Sequence, residues 1–103
     1  MNIIPLNGIQ DQRLAIVLDN QNCTIRVYQR KEFMYFDLYL DEIPIVQGAR
    51  CVYGMWQLQY TNAFKGNFIW VNSSYEDPNY MKFSESNFLA FITQDEIDNA
   101  TIN

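Results

Sequence analysis

The chain has 103 residues, of which 49% are apolar and 18% charged, with 12 Asp and Glu against 7 Lys and Arg for a formal net charge of −5. That length fits one domain over residues 1–103, and the composition supports a packed core rather than a disordered tail. The absence of histidine excludes His-based acid–base catalysis, Ser/His or Cys/His nucleophile pairs and His-containing zinc sites, and an acidic chain without a basic run suits neither nucleic-acid phosphates nor a membrane surface.

Short runs of period-two alternation dominate the chain. Residues 13–19 place Leu14, Ile16 and Leu18 on one face, and the polar cluster 19–22 predicts a turn. Residues 23–30 place Cys23, Ile25 and Val27 together; after a second polar break at 30–32, residues 33–40 do the same with Met34, Phe36, Leu38 and Leu40. Three strands joined by tight turns predict an antiparallel meander. A fourth strand is expected over 43–52, with Pro44 at its start or on an edge and Gly48 at a bulge. Residues 56–60 alternate and predict a further strand, 68–71 a short apolar one, and 87–92 the last. Residues 72–86, with Pro78, have little periodicity and predict a long loop that neighbours would order. Thr93-Gln94-Asp95-Glu96 has the form of a capping box, which allows one or two helical turns in the tail. The expected fold is all-β, a small antiparallel barrel or sandwich of about seven to eight strands with a short C-terminal helix.

The second face of the meander carries Ala15, Val17, Arg26, Tyr28, Phe33, Tyr35, Asp37 and Tyr39. A solvated face would be mostly Lys, Glu, Thr and Ser, whereas aromatics interspersed with charge are enriched at protein contacts. Two readings stay open: this face meets partners, or a second sheet or the long loops cover it.

Chemistry-bearing groups are sparse. The acidic pairs 41/42, 76/77 and 95/96 lack the regular spacing of a calcium loop and are read as solvated ends of strands. Cys23 is in phase with Ile25 and Val27, so a buried, inert thiol is expected. The N-terminal residues show no secretory signal, and no run approaches the ~18 apolar residues of a membrane span. A reducing cytoplasm with both Cys23 and Cys51 free is therefore expected. No catalytic, metal or cofactor site is predicted.

Several segments resemble, in order, the phage baseplate plug family: Ile4-Pro5-Leu6, residues 23–30, residues 36–41, Ile43-Pro44-Ile45-Val46-Gln47-Gly48 with Cys51, Gly66-Asn67-Phe68-Ile69-Trp70-Val71, and Glu76-Asp77-Pro78-Asn79-Tyr80. The resemblance spans about residues 3–92 and leaves out the tail from 93. It implies a non-enzymatic virion protein of the tail baseplate, assembled in the host bacterial cytoplasm, that plugs the central hub at the distal end of the tail tube. Its implied partners are hub, spike and tail-tube proteins, the tape measure and copies of itself, with no direct nucleic-acid binding. Tyr28, Tyr35, Tyr39, Trp56, Asp77, Pro78 and Tyr80 are the expected interface residues. The rival from another class is a carbohydrate- or peptide-binding β module that uses Trp56, Tyr60 and Tyr80 as stacking platforms. An oligonucleotide-binding barrel fits the fold but not the charge.

Overall fold

The computed structural model describes residues 1–59, 63–83 and 85–102. Strands β1 (Asn2–Ile3), β2 (Asp11–Leu18), β3 (Gln21–Arg30), β4 (Phe33–Leu40), β5 (Ile43–Arg50), β6 (Asn67–Val71) and β7 (Phe88–Ile92) precede helix α1 (Gln94–Ile102). β2-β3-β4-β5 form a four-stranded antiparallel meander, and β1-β7-β6 form a separate three-stranded antiparallel sheet.

The meander follows from local chemistry. Asp19 and Asn20 both adopt positive φ (51° and 61°) between β2 and β3, the left-handed pair whose twist matches the flanking strands. The turn between β4 and β5 takes the same form at Asp41 and Glu42 (49° and 68°). There the Asp41 N–H donates to the Asn22 carbonyl at 3.0 Å, and the Asn22 amide donates to the Asp41 carboxylate at 3.2 Å. The predicted phase holds: Cys23, Ile25, Val27, Met34, Phe36 and Leu38 are buried, and Leu14 and Ile16 pack against them. β5 ends at Arg50, short of the expected 52. Its pairing with β4 slips between Phe36 and Tyr39, near the Gly48 bulge, where φ is +71°.

The small sheet packs on that inward face. Phe36 meets Phe68 at a ring separation of 5.2 Å, Phe68 meets Phe91 at 5.4 Å, and Phe64 stacks on Phe68 at 5.7 Å. Such offset and tilted pairs are the favoured aromatic geometry. The seven strands make an open sandwich, not a barrel. One reason is the edge of β6, where Gln57 N–H donates to the Phe68 carbonyl at 2.9 Å. The Asn67 carboxamide also accepts from Leu58 N–H at 2.9 Å and donates to the Leu58 carbonyl at 2.8 Å. A side chain that mimics a backbone partner takes the place of a continued ladder.

That clamp corrects the strand expected over 56–60. Residues 56–59 are irregular, with Gln57 and Leu58 buried and Trp56 on the surface; Tyr60 lies outside the described residues. The first strand, β1, was not predicted. Two residues are too few to show alternation, and β1 exists because β7 offers it an edge, Asn2 facing Phe91 and Ile3 facing Ala90. The tail helix is longer than expected and starts as the capping box requires: Thr93 Oγ1 accepts from Glu96 N–H at 3.1 Å, and Glu96 Oε1 accepts from Thr93 N–H at 3.0 Å. Among the described residues no helix is long and apolar enough to cross a membrane.

Candidate interaction surface

Strand pairing sets the surface. With Ile25, Val27, Phe36 and Leu38 turned toward the small sheet, the alternate residues Arg26, Tyr28, Tyr35, Asp37 and Tyr39 must point the other way. The second sheet therefore does not cover this face, while the long loop reaches its edge through Asp77 at Arg50. The face is covered by its own arginines. Arg26 lies over the Tyr28 ring at 4.1 Å, Arg30 over the same ring at 5.6 Å, Arg13 over Tyr39 at 5.5 Å and Arg50 over Phe33 at 3.7 Å. A planar guanidinium gains from the ring quadrupole while its edges stay available to acceptors.

Two of the predicted interface residues belong to the fold. Tyr28 is only 6% exposed, and its hydroxyl donates to Asp37 at 3.0 Å. Burial, and then that bond, push the phenol above its ordinary value. Pro78 is likewise buried. Both are removed from the candidate surface, because sequence phase tells which way a side chain points but not what its neighbours lay over it. Tyr35 and Tyr39 remain half-exposed, and the Tyr39 hydroxyl accepts from Gln47 Nε2 at 2.9 Å. Arg26 binds Asp11 with both of its nitrogens facing that carboxylate, at 3.0 and 2.7 Å, which holds Asp11 below the usual carboxylate range.

Asp77 ties the long loop to this face. One of its oxygens accepts from Tyr53 N–H at 3.1 Å and the other pairs with Arg50 at 3.3 Å. Tyr80 is half-buried against the core. It lines a cleft of about 320 Å³ with Phe33, Cys51 and Asp77. Trp56, 40% exposed, lies in a different hollow with Val46, Arg50 and Met55. Trp56 and Tyr80 thus do not form one stacking platform, and Tyr60 lies outside the described residues. Burial pushes the Cys51 thiol in the cleft strongly upward, and the Trp70 indole nitrogen faces it without a hydrogen bond of ordinary geometry. Such a thiol is a poor nucleophile. Among the described residues no group of three or more Cys, Asp or Glu is placed to hold a metal ion.

A protein-family model described as cyanophage baseplate Pam3 plug gp18 matches residues 1–95. The chain belongs to this baseplate plug family. No curated protein matches it. The plug-family match takes in both sheets and ends in the first turn of α1, so most of the helix lies beyond it.

The segments that resemble the plug family can now be placed. Residues 43–48 are the bulged edge strand β5, and 66–71 are a turn with β6. Gly66 has φ +101°, and a Cβ there would stand 2.7 Å from the Ile92 carbonyl oxygen, so only glycine fits the approach of this turn to β7. Residues 76–80 belong to the long loop, which asparagine side chains tie from within. Asn72 accepts from Glu76 N–H at 3.3 Å and donates to the Glu76 carbonyl at 2.7 Å. Asn79 accepts from Met81 N–H at 3.0 Å, starting a 3-10 turn over Tyr80–Lys82, and Asn87 accepts from Asn79 N–H at 3.1 Å. Sequence reasoning passed over these three asparagines. The readable signal was their tendency to bond nearby backbone in turns.

Proposed function

We propose that this plug-family chain seals the central hub at the distal end of a phage tail tube, as a non-catalytic component held by contacts with hub, spike, tail-tube and tape-measure proteins and with its own copies. Assembly takes place in the host cytoplasm, before the particle is complete. The observation that carries the reading is the family match across both sheets, joined to a sheet face of arginine and tyrosine that the chain leaves open. Tyr35, Tyr39, Trp56, Asp77 and Tyr80 are the interface residues this reading retains. An aromatic with a polar tip buries area in a contact and still finds a hydrogen-bond partner.

The test is complementation of a phage that lacks the gene, with the purified tails analysed for this protein. Tyr35→Glu and Trp56→Glu should leave the isolated protein with unchanged circular dichroism and melting, yet abolish its incorporation. Normal incorporation of both variants would place the contacts elsewhere. Tyr80 is a poorer probe, because it packs against the core and its substitution would also unfold the loop.

A further inference from the structure

The arginines are segregated. All four in the chain, Arg13, Arg26, Arg30 and Arg50, stand on the outer face of the large sheet, which they share with the carboxylates Asp11 and Asp37 of its strands and with Asp77, which reaches Arg50 from the long loop. Off that face, nine carboxylates stand against three lysines. Arg26 and Arg50 have carboxylate partners at 2.7 and 3.3 Å. Among the described residues no carboxylate lies within ion-pair distance of Arg13 or Arg30. Both are exposed and rest on aromatic rings, in a fixed and accessible pose.

The complementary charge sits on the other layer. Helix α1 continues from β7 of the small sheet and carries Asp95, Asp98 and Glu96 with no basic residue, although Glu96 is already paired with the Met1 amino group at 2.7 Å. The Gln94 side chain holds its start by accepting from Gly66 N–H at 3.4 Å. Glu96 reaches the Met1 amino group beside β1 and Gln94 reaches Gly66 beside β6, so the contacts of this helix are with the small-sheet layer.

We infer that the arginine face is a docking surface for the acidic α1 side of a second copy, front to back. Two copies of a chain at −5 repel in most orientations, and this one brings opposite signs together. Guanidinium groups already laid on aromatic rings lose little freedom when a carboxylate arrives. The contact uses two different surfaces, so it repeats from copy to copy and closes into a ring or continues as a stack. This goes beyond the baseplate reading and does not depend on it. The test uses the purified chain, so its failure leaves the baseplate assignment standing.

Sedimentation equilibrium of the full chain should show concentration-dependent association at about 0.01 M salt. The association constant should fall at least tenfold at about 0.15 M, as the screening length drops from ~30 to ~8 Å. The double variant Arg13→Glu/Arg30→Glu should be monomeric, and so should Asp95→Lys/Asp98→Lys, while an equimolar mixture of the two should associate again. Circular dichroism checks each fold; Arg13→Gln/Arg30→Gln, which only removes charge, should weaken association if the glutamate variant is unstable. A wild type that stays monomeric at low salt would overturn the inference. So would association indifferent to salt or to the arginine substitutions, or a mixture of the two charge variants that stays monomeric.

Discussion

The Tyr28 hydroxyl donates to the Asp37 carboxylate at 3.0 Å, and both side chains are buried although they stand on the sheet face that points away from the core. The same Asp37 oxygen accepts from Gly48 N–H at 2.7 Å, so the carboxylate holds the β5 bulge against β4. A buried carboxylate is tolerable only with such donors, and they bind it more strongly than they would a neutral acceptor.

Asp37→Ala should therefore lower the unfolding free energy by about 2–4 kcal/mol, because it strands both the Gly48 N–H and the Tyr28 hydroxyl. Tyr28→Phe should cost about 1 kcal/mol. Urea unfolding at unchanged m would measure both. The raised Tyr28 value has a defined sign. The fold favours the neutral phenol, so this contribution is complete below the ordinary tyrosine value of about 10 and is lost as pH climbs through the higher folded value. Tyr28→Phe should remove that part of the alkaline loss of stability.

Phe36 is fully buried at the contact between the sheets. Phe36→Ala should cost about 3–5 kcal/mol, a large share of what a small domain has. A loss below about 1 kcal/mol would mean that β4 presents its other face to the core, since a one-residue slip exchanges the two.

Cys23 and Cys51 are both buried and unbridged, and burial raises both thiols. Thiol reagents should label neither in the folded protein and both in denaturant, as read by intact mass. Rapid labelling of Cys51 in the native state would show that the cleft beside Tyr80 opens.

Thr93→Ala should cost about 1 kcal/mol through loss of the N-cap and reduce the helical signal of α1. Glu96 answers to pH. The Met1 amino group at 2.7 Å and then the Thr93 N–H hold its carboxyl down to about 2. A depressed carboxylate stabilises the fold above the ordinary glutamate value, and that contribution disappears as pH falls toward 2. Protection of the α1 amides against hydrogen exchange should fall over that acid range, and Glu96→Gln should flatten the change.

Much of the large sheet was legible because each of its features is local. Alternation at Cys23, Ile25 and Val27 states which side chains share a face, Asp19-Asn20 states where the chain reverses, and Thr93 with Glu96 states where a helix begins. Residues 56–59 show the limit of such reading. They alternate as a strand would, yet Asn67 claims the backbone of Leu58, and nothing near residue 58 announces that competitor.

The sequence by itself determined the strands of the meander, the phase of its core and the collinear resemblance to the plug family, because period-two patterning and turn chemistry act between residues close in the chain. Only the tertiary structure decided that the sandwich stays open, that β1 completes the small sheet, that Tyr28 and Pro78 are buried and that all four arginines gather on one face. Those facts depend on contacts between distant segments. A pattern of alternation says that a residue faces outward; what lies over it there is set by which strands become neighbours.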